Sequence, residues 1–217
     1  MERHDAVNYI IAKYSYTNPD YLEIGVQYEN TIKNVNSKNK DGVDPCIYGK
    51  NQYINYPMLS DDFFEKHISK KYDIIFIDGL HTAYQVCKDI YNSINNLKDG
   101  GVIVLDDVYP HNKNEQLSFK LSYMGPQTGD VWKTVYHVFD KLLEISDDVY
   151  FIDNTTRGNL IFKIKSNNTD NITVDTSYPT CNMDGACRCN NCEWHKYDYD
   201  RDFSKYLKLL NKYKIDI

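Results

Sequence analysis

Two short apolar runs stand out against a chain whose other hydrophobic residues recur mostly at helical spacing. Ile74-Ile75-Phe76-Ile77 runs into Asp78, and Val102-Ile103-Val104-Leu105 runs into Asp106-Asp107. An unbroken run of this length predicts a strand covered on both faces, as in a parallel sheet. A strand is also predicted over residues 21–26, and a second over 40–45, stopped by Pro45. Helical stripes lie at Val7, Ile10, Ile11 and Tyr14, then at Ala83, Val86, Cys87, Ile90, Ile94 and Leu97. A third joins Val131, Val135, Val138, Phe139 and Leu142, and Trp132 reads either as part of that core, which its spacing supports, or as a contact for a flat or cyclic ligand. Ser60-Asp61-Asp62 predicts a helix cap ahead of Phe63, Phe64 and Ile68.

Punctuation separates these elements. A short helix is predicted near residues 29–35, and residues 46–58 read as irregular and rich in tyrosine. Asp99-Gly100-Gly101 predicts the end of the helix over 82–97, with a glycine in the left-handed region. Residues 108–129 form a long polar connection carrying His111, Tyr123 and Met124, and loops this long are often functional. Residues 149–153 and 159–165 flank Asn154-Thr155-Thr156-Arg157-Gly158 and predict a hairpin. Strands alternating with helices, closed by a hairpin, predict an α/β fold: a Rossmann-like, doubly wound, mostly parallel sheet. Residues 1–165 read as one domain. Residues 166–217 read as a cysteine-containing extension ending in a helix on Phe203, Tyr206, Leu207 and Leu210.

Composition narrows the class. The chain has 217 residues, 26% charged and 41% hydrophobic, enough to bury one core. Its net charge of −6 argues against a broad nucleic-acid footprint. No apolar run is long enough for a membrane span, and residues 1–5 lack a signal-peptide core. A cytoplasmic protein, with neither membrane nor nucleic acid as partner, is the expectation. A second copy of the chain is an admissible partner.

Ligands in open α/β sheets bind outside the carboxyl ends of the strands. Glu23-Ile24-Gly25 ends the first strand with a glycine that lets a ligand approach the backbone. Asp44 ends the second strand, where an acidic residue commonly accepts ribose hydroxyls. The turn is not G-x-G-x-x-G, because Glu29 stands four residues after Gly25. A carboxylate there repels a pyrophosphate and suits a nucleoside without phosphates.

The series Leu22-Glu23-Ile24-Gly25, Gly42-Val43-Asp44-Pro45, Phe76-Ile77-Asp78-Gly79-Leu80-His81 and Gly100 through Asp107 resembles class I S-adenosylmethionine (SAM)-dependent methyltransferases. The branch most similar is that of small-molecule and sugar O-methyltransferases. Gly129 through Lys133 and the closing hairpin share the likeness, which covers residues 4–165. It implies a seven-stranded sheet with a reversed last strand, and SAM as cofactor. It implies that Glu23 and Gly25 line the methionine end, that Asp44 binds the ribose, and that Ser60 and Asp61 lie near the adenine. Asp78 ends the strand beside them. Glu29 departs from the family, which often has a second glycine there.

The resemblance also implies a reacting half. Asp78, Asp106 and Asp107 stand where metal-dependent relatives hold Mg²⁺, although some relatives keep the acidic residues and use no metal. His81 stands where they place the general base, with Asp78 beside it. Imidazole is suited to taking a proton near neutral pH. The reading is methyl transfer to a hydroxyl of a small molecule, a sugar or glycan by the branch resembled. An NAD-dependent oxidoreductase or epimerase, or a non-catalytic module on the same fold, is the alternative.

Six cysteines include Cys181, Cys187, Cys189 and Cys192. Their spacing, with His195 following, admits structural Zn²⁺ as well as a reduced loop.

Overall fold

The structure, a computed structural model, describes residues 1–47, 52–117, 127–153, 156–166 and 193–217. Seven strands form one sheet: β1 (Asp20–Ile24), β2 (Asn39–Val43), β3 (Ile54–Tyr56), β4 (Tyr72–Ile77), β5 (Leu97–Leu105), β6 (Ser146–Ile152) and β7 (Asn159–Ile164). Their spatial order is β3-β2-β1-β4-β5-β7-β6. β1 through β5 pair in parallel, and β7 enters antiparallel to both β5 and β6. The order turns back at β1, which lies between β2 and β4, so the ends of β1 and β4 flank a topological switch point.

Strand alternation splits the apolar runs between two cores. Phe76, Ile74, Val102 and Val104 face α1 (Arg3–Lys13), whose Ala6, Val7, Ile10 and Ile11 are buried against them. Ile75, Ile77, Ile103 and Leu105 face the opposite core. That core is completed by α2 (Ser60–Lys66), α3 (Ala83–Asn96), α4 (Val131–Glu144) and α5 (Tyr199–Leu210). Each fully buried Ile or Phe contributes about 1.5–3 kcal/mol over exposure, so a polar residue in either run would be costly.

Several local predictions change in three dimensions. The irregular stretch contains β3, a short edge strand that buries too little to leave a pattern. The helix near 29–35 shrinks to a 3₁₀ turn at Ile32–Asn34. Ser60 is the first helical residue of α2; Leu59 holds the cap position, and no side chain caps there. Gly100 does adopt φ +67°, but inside β5 rather than at a helix end. α3 stops at Asn96, and Leu97 is already extended and paired with Tyr72. Trp132 is fully buried, as its spacing predicts.

α5 packs into the large core. Trp132 meets Phe203 edge-on at 5.5 Å between ring centroids, and the Tyr206 hydroxyl donates to the Val108 carbonyl at 2.8 Å. Trp194, Phe203, Tyr206 and Leu210 are all buried in that core. Among the described residues, no helix is long and apolar enough to cross a membrane.

Candidate active site

Backbone hydrogen bonds align three strand tips. Asp78 N donates to Ile24 O at 2.8 Å, and Asp106 N donates to Ile77 O at 3.1 Å. Gly25, Asp78 and Asp106 therefore follow one another along the sheet edge. Gly25 has φ +86°, and a Cβ there would stand 2.0 Å from the Asp78 carbonyl oxygen. No residue but glycine fits this crossing.

A cleft of about 600 Å³ opens over the tips of β1, β2 and β4. Of the residues predicted to bind cofactor, Gly25, Asp44, Ser60, Asp61 and Asp78 line it, and His81 stands at its wall. Asp44 accepts from Gln27 N and Cys46 N, both at 2.8 Å, so the two turns above β1 and β2 are tied through one carboxylate. Ser60 and Asp61 each accept from the Gln85 amide, at 3.2 and 2.9 Å. Met58, Leu59 and Leu80 add an apolar wall. Glu23 lies outside the lining. It is 1% exposed and accepts from the Tyr21 hydroxyl at 2.6 Å. Burial, against that hydrogen bond, pushes its carboxyl up to about 8.

Glu29 resolves the departure in the first loop. It takes φ +60° itself, the conformation a glycine would hold more cheaply. Its carboxylate accepts from Tyr53 N at 2.6 Å, fastening the loop to the approach of β3.

The reacting end is acidic. His81 Nε2 lies 3.0 Å from Asp78 Oδ1 and 3.2 Å from Asp107 Oδ2. His81 Nδ1 faces the Gln127 carbonyl at 3.2 Å. All these neighbours are acceptors, an arrangement that favours the protonated ring. Burial pulls its pKa down, but the charges of Asp107 and Asp78 outweigh it and lift it to about 10. Asp107 adopts φ +56°, a strained conformation for an aspartate that turns its carboxylate back toward His81. Burial raises its pKa to about 6 despite the opposing His81 charge. Asp78, His81 and Asp107 place three polar atoms within 4.8 Å of one another, and the two carboxylates of that set suit a divalent cation.

Asp106 turns elsewhere. Its side chain has no exposure; Oδ1 accepts from Asn159 Nδ2 at 2.8 Å, and Oδ2 pairs with Arg3 Nε. Burial, then the charges of Asp107 and Asp78, raise its pKa well above the ordinary value. Arg3 and Asn159 left no signal in the sequence pattern. They reach the site from α1 and from the reversed strand β7, both distant along the chain.

Residues 127–128, tied back to Glu115, approach His81 from the other side. Arg157 Nε lies 2.8 Å from Glu115 Oε2. The Glu115 carbonyl accepts from Thr128 N at 2.8 Å, next to Gln127. His111 N donates to Glu115 at 2.8 Å. Tyr123, Met124, Cys181, Cys187, Cys189 and Cys192 lie outside the described residues.

Residues 50–108 match the family model of a methyltransferase domain, a segment that carries α2, β4, α3, β5 and the Asp106-Asp107 pair. No curated protein matches the sequence. Among solved structures, the chain is similar to an O-methyltransferase from Bacillus cereus in complex with SAH. The identity is 11%, over 75% of this chain and 80% of that one, with a TM-score of 0.49. It is also similar to the MycE methyltransferase of the mycinamycin biosynthetic pathway, in complex with Mg, SAH and mycinamycin VI. There the identity is 13%, over 77% of this chain and 50% of that one, with a TM-score of 0.47. A third likeness is to a protein from Streptococcus thermophilus described as a hemolysin, at 11% identity over 72% and 64% of the two chains and a TM-score of 0.42.

Proposed function

We propose that this chain is a class I methyltransferase that moves a methyl group from SAM to a hydroxyl of a small molecule, with a sugar or glycan as the acceptor class. One observation carries the reading. A single cleft joins a nucleoside-sized pocket over β1 and β2 to a histidine held between two carboxylates.

The cofactor's ribose would meet Asp44, and its adenine the Ser60, Asp61 and Gln85 side. Gly25 leaves room for the methionine end against the backbone. The acceptor oxygen attacks the methyl carbon in line as the bond from carbon to sulfur breaks. The hydroxyl proton passes to His81 Nε2, leaving a methyl ether and S-adenosylhomocysteine. His81 must be neutral to accept it. Positive charge arriving at Asp78 and Asp107, from the sulfonium or from a cation, opposes the field that keeps the imidazole charged. Asp78 and Asp107 are the residues that would hold Mg²⁺, which supplies a lowered pKa at a coordinated hydroxyl. The match of residues 50–108 to a methyltransferase domain supports this reading over an NAD-dependent one. A Zn²⁺ site in the cysteine segment has no support from the described residues.

The test is transfer of labelled methyl from SAM to a panel of sugars and other alcohols, with and without EDTA. His81→Gln is expected to lower turnover by about 10²-fold or more while keeping affinity for S-adenosylhomocysteine. Full turnover in that variant removes His81 as the base. Undiminished turnover in EDTA removes the cation. Methylation of nitrogen or sulfur acceptors alone would refute O-methylation.

A further inference from the structure

Arg3 brings a guanidinium from the first turn of α1 into the acidic centre. Its Nε pairs with Asp106 Oδ2, Nη1 lies 3.6 Å from Asp78 Oδ2, and Nη2 lies 3.8 Å from Asp107 Oδ1. The oxygens are divided between two neighbours. Asp78 and Asp107 each turn one oxygen to Arg3 and the other to His81. Asp106 is spent between Arg3 and Asn159. Asp78 and Asp107 are left to share a cation, with His81 within 4.8 Å of both and Asp106 outside the group.

We propose that Arg3 is a built-in counter-charge: it keeps Asp106 out of the cation's ligand set and weakens the grip of Asp78 and Asp107 on a divalent cation. The proposal rests on the cation reading above and adds a residue that sets its affinity. A fixed positive charge about 4 Å from two ligand carboxylates opposes a second positive charge arriving there. The same charge balances three carboxylates that would otherwise repel one another at the strand tips. Arg3 also lines the cleft, so its role must be separated from recognition of the cofactor's own carboxylate.

The experiment is calorimetric titration of the full chain with Mn²⁺, then with S-adenosylhomocysteine, for the wild type, Arg3→Met and Arg3→Lys. Thermal melting is followed in parallel. Arg3→Met is expected to bind Mn²⁺ roughly ten-fold or more tightly, the scale of one charge removed from a partly buried site. It should melt lower without metal and gain more from Mn²⁺ than the wild type. Arg3→Lys should resemble the wild type, and S-adenosylhomocysteine affinity should hold in all three. Arg3→Gln removes the charge but keeps a donor for Asp106, and gives the same readout if Arg3→Met does not fold. Equal or weaker Mn²⁺ binding on removing the charge overturns the proposal. So does loss of S-adenosylhomocysteine affinity, which would give Arg3 to the cofactor. Absence of Mn²⁺ binding in every protein overturns it together with the cation reading, while retained S-adenosylhomocysteine binding leaves the methyltransferase reading standing.

Discussion

Asp89 lies buried in α3 with one carboxylate oxygen unpartnered. Its other oxygen accepts from Gln85 Nε2 at 3.1 Å, the same amide that serves Ser60 and Asp61 at the cleft. Burial raises its pKa to about 7, against opposing hydrogen bonds from Ser60 and Gln85. The sign of the consequence follows from linkage. The native state keeps this proton up to about pH 7, whereas the unfolded chain releases it near 3.8. The stability it contributes is full below the unfolded value and is lost as pH rises toward and through 7. Asp89→Asn removes the titration. The wild type should lose more melting temperature between pH 5 and pH 8 than the variant does. Equal losses would mean the carboxyl is ionised in the native state throughout. Residues of this kind were invisible in the sequence: Asp89 sits next to the apolar Ile90 on a helix, and nothing in the spacing says which way it faces. Gly25, Asp44, Asp78 and His81 were legible because each ends or follows a strand, where the fold class dictates what gathers.

At the scale of elements, α5 secures the end of β5. The Tyr206 hydroxyl bonds to the carbonyl of Val108, next to the strained Asp107. Tyr206→Phe leaves that carbonyl without its partner in a closed core. It should lower stability by about 1–3 kcal/mol in denaturant unfolding. Unchanged stability would show that the hydroxyl is not paired in solution. The helical stripe of α5 was readable from Phe203, Tyr206 and Leu210, but its docking partner was not. β3 shows the opposite failure. Its residues alternate between partly buried and exposed, too weak a contrast to mark a strand. It forms because β2 offers an open edge.

For the whole molecule, one core spans most helices and the extension. Residues 193–217 supply Trp194, Phe203, Tyr206 and Leu210 to the face that also holds Trp132 and Phe139. A chain ending at Lys165 would expose that face. It is expected to lose its cooperative thermal transition, read by calorimetry, and a sharp transition in the short chain would show that residues 1–165 close a core of their own.

The sequence by itself determined the class of fold and the edge where chemistry gathers. Apolar runs, stripes and turns are local consequences of strand and helix periods, and strand tips carry their carboxylates wherever the sheet puts them. Tertiary structure alone decided the pairing: Asp78 and Asp107 against His81, Asp106 against Arg3 and Asn159. Charges act through space, and the distance between two side chains is not written in their separation along the chain.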